Sequence, residues 1–284
     1  MRSMLFCAVL ALWPVLEPGL ARSQAVVSTG ESFVRVTLLP GRAEPGGARM
    51  AGLVLDVKPG WKTYWRDPGA AGIPPQFDWS GSRNLGAVEV FWPRPSLFES
   101  FGLSTVGYSG RVVFPVRLVP ERPDQAMEIG LRLALGVCRE ICVLEEATVE
   151  MRIEPGAPEV EAALVAMAEA AVPRPGAEMG LTGATCRISG AGARRRFDAE
   201  LDFARALHDP VVILEGPELT WFTGVETTVE PGTEPGTGPA GRLHVGAALS
   251  LLDETVWIDR SQIRMTVLAG DFAADVKGCT APAG

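Results

Sequence analysis

Cys138 and Cys142, the two cysteines of "GVCREICV" (136–143), are the residues of this sequence best suited to chemistry. Such a close pair can clip a zinc ion, staple a loop, or carry electrons as a disulfide that opens and closes. A structural zinc site wants four thiolate or imidazole ligands, often as two close pairs. Here there is one close pair, and the two histidines, His208 and His244, lie far along the chain. No metal and no other cofactor is therefore expected, although a reduced dithiol suits Cu(I), a soft ion. A disulfide needs Cα atoms about 4.4–6.8 Å apart, whereas four residues of extended strand span roughly 13 Å. The segment must bend. Its flanks, "LRLALGV" and "VLEEATVEM", are strand-like, and Gly136 permits an unusual backbone angle. A hairpin tip with "REI" as its loop is the expected geometry.

A second pair, Cys186 and Cys279, brackets most of the C-terminal part of the chain. Closing a loop of about 100 residues contributes about 4.7 kcal/mol by chain entropy, and a ring of about five residues roughly 2. The wide bridge reads as a structural disulfide that ties the tail to the start of its domain. The narrow one is the poorer staple, and a small exposed ring exchanges readily. Spacing alone leaves Cys138–Cys142 balanced between a structural disulfide and a redox site. Arg139 would favour a thiolate there and Glu140 would oppose it.

The elements that must position these cysteines are mostly strands. The chain has 284 residues, 47% hydrophobic and 21% charged, enough for a sizeable core and for two domains of ordinary size. Its net charge of −8 argues against nucleic acid as a partner, because phosphate binding needs a cationic face. The short basic run Arg194–Arg196 reads as a solvated turn. Residues 1–25 read as a secretory signal peptide: Arg2, an apolar run broken by Pro14, and small residues that place a cut after Ala21 or Ala25. Cys7 would be lost with it. The remaining four cysteines are even in number, in a compartment that permits disulfides. No later apolar run is long enough to span a membrane, so the mature protein is expected to be exported, soluble and not membrane-spanning.

Alternating apolar residues in 32–39, 49–57, 110–119, 127–137 and 147–155 predict an antiparallel sandwich. Pro115 predicts an edge strand or a bulge. "PEVEAALVAMAEAAV" (158–172) predicts the one helix, a connector with Leu164, Met167 and Ala171 on one face. Strand patterns return at 197–204, 210–216, 243–252 and 262–270, and "EPGTEPGTGPAG" (230–241) reads as an exposed loop. The fold class is thus all-β, with two sandwich-like modules joined by one helix. Asp253, Glu254 and Asp259 read as solvated strand ends rather than acid–base groups. In "GWKTYWRDPG", Trp61, Tyr64, Trp65, Arg66 and Asp67 could form a binding surface; the aromatic rings read rather as core, with a turn at "DPG" and with Arg66 and Asp67 placed to orient a neighbouring loop.

Three stretches occur in order: "GWKTYWRDPGAAGIPPQFDW" (60–79), "LFESFGLSTVGYSGRVVFPV" (97–116) and "GVCREICV". Together they resemble the N-terminal periplasmic domain of the DsbD family of thiol–disulfide reductases, and its ScsB-like branch in particular. The resemblance covers roughly residues 30–155. It implies an immunoglobulin-like sandwich with a redox-active disulfide, Cys138–Cys142, on a hairpin. It also implies a cap loop within Phe98, Glu99, Ser100, Phe101, Gly102 and Leu103, with Phe98 and Phe101 as shields, although both rings also suit a core. By family order Cys142 attacks first. The resemblance further implies a redox carrier, one component of a protein-disulfide reductase. It would take electrons from a separate membrane thiol reductase and pass them to periplasmic thioredoxin-fold oxidoreductases. The expected organisation is a signal peptide (1–25), a DsbD N-terminal-like domain (26–155), a helical connector (156–175) and a second β-sandwich-like domain (176–284). The three-residue cysteine spacing is shorter than in DsbD itself. The membrane and thioredoxin domains of DsbD have no counterpart here, and the second module lies outside the DsbD pattern. Two other readings remain beside this one. One is a non-catalytic interaction or chaperone-like protein with two structural disulfides. The other is a periplasmic copper-handling protein.

Overall fold

A computed structural model describes residues 24–27, 32–69, 72–100, 103–217, 220–231, 240–253, 255 and 257–282. Among these residues eleven strands precede the helix: β1 (Gln24–Val27), β2 (Val34–Ala43), β3 (Arg49–Val57), β4 (Lys62–Gly69), β5 (Gln76–Asp78), β6 (Ala87–Val90), β7 (Ser96–Ser100), β8 (Leu103–Ser109), β9 (Arg111–Val119), β10 (Met127–Cys138) and β11 (Cys142–Ile153). They form a seven-stranded sheet in the order β1-β11-β10-β4-β8-β7, with β5 also on β10, packed against a four-stranded sheet β2-β3-β9-β6. Period-two alternation explains the packing. Leu131, Leu133 and Leu135 of β10 and Val149, Met151 and Ile153 of β11 point inward against Leu53, Leu55 and Phe114 of the facing sheet. Most of the expected strands appear close to their anticipated limits. β4 to β8 were not anticipated, because their aromatic and Gly–Pro content masks the alternation.

Pro115 does not mark an edge: β9 lies between β3 and β6. Its carbonyl accepts the N–H of Phe91, one residue past the end of β6. The N–H that proline lacks would point to that same side, where the ladder has already stopped, so no pairing is lost.

The helix α1 (Ala162–Ala170) is shorter than its sequence pattern and lies on the outer face of β2, β3 and β9. Its buried side is Val165 and Ala168, with Leu164 beside them. Met167, at 71% exposure, and Ala171 face away, contrary to the expected stripe. The reason is the receiving surface. Gly52 on β3 leaves a hollow that Val165 enters, its Cγ2 standing 2.9 Å from where a Cβ on Gly52 would be.

The second module has β12 (Arg174–Pro175), β13 (Leu181–Ser189), β14 (Arg194–Phe203), β15 (Val211–Glu215), β16 (Thr220–Pro231), β17 (Gly241–Leu251), β18 (Arg264–Ala269) and β19 (Phe272–Lys277). Its two sheets are β12-β19-β18-β15 and β13-β14-β17-β16. All pairings are antiparallel except β12 with β19. Arg194–Arg196 open β14 rather than forming a turn, and the Arg196 guanidinium is held by Asp198 at 2.8 Å. Of the low-complexity segment, 232–239 lies outside the described residues.

The sheet β12-β19-β18-β15 is covered on both faces. Val212, Leu214, Met265 and Val267 enter its own module's core, while Ile213 and Leu268 join the core of the first module. That explains the unbroken apolar run Val212–Leu214, a pattern of strands buried on two sides. Polar contacts reinforce the junction. Arg66 of β4 makes a two-pronged pair with Glu215 of β15, both N–O distances being 2.7 Å. The Arg94 guanidinium donates to the Gly270 carbonyl. Beside this junction Asp67 accepts the Gly69 N–H at 3.0 Å. Burial raises the Asp67 carboxyl above the ordinary range, and the Glu215 carboxylate adds to the effect.

Two predictions follow from these packings. Val165→Ala should cost about 2 kcal/mol, whereas Met167→Ala should stay within about 0.5 kcal/mol, both read by chemical denaturation. Asp67→Asn keeps the acceptor for Gly69 and removes a charge whose folded-state pKa is raised. The penalty it relieves is full above that raised pKa and vanishes once the unfolded carboxyl is protonated, below about pH 3.9. The variant should therefore melt higher than the parent at pH 7, with the gain disappearing on acidification, as followed by thermal melts across pH.

Candidate disulfide site

The β10–β11 hairpin places Cys138 directly opposite Cys142 in an unbroken register that starts at Met127 and Ile153. The two sulfurs are bonded, with Cα atoms 4.1 Å apart. Arg139, Glu140 and Ile141 form the expected loop, closed by the Arg139 N–H donating to the Ile141 carbonyl at 3.0 Å. The cysteines differ in environment: Cys138 is 2% exposed, while Cys142 is open to solvent. Ile141 and Leu144 flank Cys142 as exposed apolar side chains, at 68% and 58%.

Both cysteines lie on the outer face of the large sheet, where alternation predicts exposure. Cys138 and Gly136 are nevertheless buried, because β4 and the segment after it cover them. Lys62 pairs across from Cys138 and Thr63 from Val137. The Thr63 hydroxyl donates to the Gly136 carbonyl at 2.9 Å. Tyr64, on the same face as Lys62, brings its hydroxyl to 2.8 Å from Cys138 Sγ and 3.6 Å from Cys142 Sγ. Burial raises the phenol above its ordinary pKa, so it stays a protonated donor at neutral pH. Two glycines make room for this ring. A Cβ on Gly72 would stand 2.7 Å from it, and one on Gly136 3.2 Å from it and 2.8 Å from the Ile73 Cβ.

Lys62 connects this strand to the β7–β8 hairpin. Its ammonium donates to the Thr105 hydroxyl at 3.0 Å and lies 5.2 Å from the centre of the Phe98 ring. Burial lowers its pKa. Phe98 is thus half-buried over the lysine that sits opposite Cys138. Glu99 is exposed and accepts from the Ser104 hydroxyl at 2.8 Å. Ser100 pairs with Leu103 at the hairpin end, and Phe101 and Gly102 lie outside the described residues. Arg66 reaches the second module, where it donates to Glu215.

The sequence placed Tyr64 in the core and gave it no chemistry. It is buried, yet its hydroxyl is aimed at sulfur. The available signal was the pair of glycines, Gly72 and Gly136, far apart in sequence and packed on the same ring.

The other candidates are elsewhere. Cys186, on β13, is bonded to Cys279, with Cα atoms 5.6 Å apart. The tail beyond it joins β13 through the Cys186 N–H to the Thr280 carbonyl at 2.8 Å. Asp253 and Asp259 are exposed and cap the turns at Thr255 and Ser261, whose hydrogen bonds lower both carboxyls. Glu254 lies outside the described residues. His244 sits on β17 between Glu200 and Glu230. Among the described residues no three His, Cys, Asp or Glu side chains stand where they could hold a metal ion.

Known proteins bear on this arrangement in two ways. Residues 35–153 match the family model of the thiol:disulfide interchange protein DsbD, N-terminal. The crystal structure of the N-terminal periplasmic domain of ScsB from Proteus mirabilis superposes with a TM-score of 0.71 at 20% identity, covering 90% of this chain and 97% of that one. At this identity the likeness is one of fold, and it takes in the second module as well as the first. No curated protein matches the chain. The matched stretch, residues 35–153, is the sandwich that carries the Cys138–Cys142 hairpin.

Proposed function

We propose that Cys138 and Cys142 are a redox-active pair that relays two electrons by thiol–disulfide exchange, in the periplasm, after cleavage of the signal peptide. The observation that carries this reading is the asymmetry of the pair: an exposed Cys142 bonded to a buried Cys138 whose sulfur faces the Tyr64 hydroxyl. The match of residues 35–153 to the family model of the thiol:disulfide interchange protein DsbD, N-terminal, supports it. Because β1 begins at Gln24, cleavage after Ala21 leaves that strand whole.

In the reducing half, a thiolate of the electron donor attacks Cys142 Sγ. The Cys138–Cys142 bond breaks and Cys138 leaves as a thiolate, accepting the Tyr64 hydrogen bond. The donor's second thiolate then attacks the donor sulfur of the mixed disulfide. The donor becomes a disulfide and Cys142 is freed to take up a proton. In the oxidising half, the Cys142 thiolate attacks the acceptor's disulfide and one acceptor sulfur leaves and is protonated. Cys138 then attacks Cys142 Sγ, reforming the intramolecular bond and releasing the second acceptor thiol. Two electrons and two protons pass from donor to acceptor. A membrane thiol reductase and thioredoxin-fold proteins fit these roles. Exposed Ile141 and Leu144 provide an apolar rim against which a partner can seat its own sulfur.

Cys138→Ser should accumulate a mixed disulfide through Cys142 with a thioredoxin-fold partner, and Cys142→Ser should not. Non-reducing electrophoresis after alkylation reads both, and trapping by neither variant would remove the proposal. Tyr64→Phe keeps the ring and deletes the donor. Hydrogen bonds to charged groups are worth about 1.5–3 kcal/mol. Reduction of the Cys138–Cys142 disulfide by dithiothreitol should therefore slow by about 10- to 100-fold.

A further inference from the structure

β4 is poorly held by its own sheet at the point that matters most. It pairs with β10 only through Lys62 and Thr63. On β8 its register breaks between Tyr64, opposite Gly107, and Gly69, opposite Thr105. Four residues of β4 lie between those positions, against the single Val106 of β8, so Trp65–Pro68 bulge out of the ladder. The second module holds the bulge. Arg66 Nε and Nη2 donate to the two Glu215 oxygens, each at 2.7 Å, and its guanidinium lies 3.9 Å from the Trp65 ring centre. Glu215 is itself fixed by the regular pairing of β15 with β18. At the far side of the bulge, Pro68 and Gly72 lie beside the Tyr64 ring, and Ile73 lies beside Gly136. Tyr64, whose hydroxyl touches Cys138 Sγ, is two residues from Arg66.

We infer that Glu215 is a positioning residue for the disulfide. Through Arg66 it fixes the bulge that keeps the Tyr64 hydroxyl on Cys138 Sγ, so the second module sets the exchange rate of a bond in the first. This rests on the exchange reading above, and it gives the second module a role in that chemistry. A two-pronged arginine–carboxylate pair suits the task because its planar fork fixes direction as well as distance. The pair is largely shielded, with side chains 15% and 13% exposed, so water competes weakly for it.

The test is a double-mutant cycle on the full chain, with Glu215→Ala, Tyr64→Phe and both together, reading the rate at which dithiothreitol reduces Cys138–Cys142. That rate is measurable whether or not any physiological partner exists, so failure of the relay reading and failure of this one are separable. Glu215→Ala alone should slow reduction by about fivefold, the scale of coupling within one hydrogen-bonded network. In the Tyr64→Phe background it should change the rate by less than about twofold, because the group it positions is gone. Arg66→Lys, which keeps the charge and loses the fork, should fall between parent and Glu215→Ala, and it serves as the second probe if Glu215→Ala does not fold. Equal effects in both backgrounds, no effect in the parent, or faster reduction in both would overturn the inference.

Discussion

A sulfur that leaves as a thiolate from a site with almost no solvent access needs something other than water to receive its charge. In the exchange proposed above, the receiver at Cys138 is the Tyr64 hydroxyl, 2.8 Å from its sulfur. Gly72 and Gly136 give up side chains to admit the ring, and Thr63 ties β4 to β10 just beside it. The Lys62 ammonium is drawn toward Thr105 and Phe98, which ties the start of β4 to the β7–β8 hairpin. An apolar, enclosed setting strengthens each of these contacts, and for the same reason it makes the loss of one costly.

β4 is pulled in three directions along a few residues. Its start belongs to the disulfide, its middle to the core through Trp65, and its bulge to the second module through Arg66. Among the described residues the Trp65 indole N–H finds no acceptor, a cost of about 1–3 kcal/mol. Conflict between local pairing and such competing demands is characteristic of strands that serve a site. β3 and β9, which only build the sandwich, pair without a break over their shared length.

The sequence disclosed what depends on local pattern. Val149, Met151 and Ile153 alternate and are buried together, and 49–57 is β3 as read. The cysteine hairpin was legible because a short disulfide and two strand-like flanks permit little else. What depends on distant neighbours was hidden. Tyr64 looks like any core aromatic until β4 lies beside β10, 74 residues further along. The helix face was misread because a stripe of Leu164 and Met167 is the more apolar one, whereas Gly52 on β3 admits Val165. Pro115 followed the general rule for edge strands until the end of β6 removed its premise.

The β10–β11 register runs without interruption up to the two cysteines, and it is held by main-chain hydrogen bonds that owe nothing to the sulfur bond. On the relay proposed above, opening that bond would leave the ladder intact. The oxidised and reduced forms would then have almost the same outline. A partner meeting this surface gains little by recognising shape: it must distinguish the two forms by the reactivity of Cys142 itself. On that relay, donor and acceptor would consequently share one landing place in turn, with the direction of traffic left to the relative affinity of each protein for electrons.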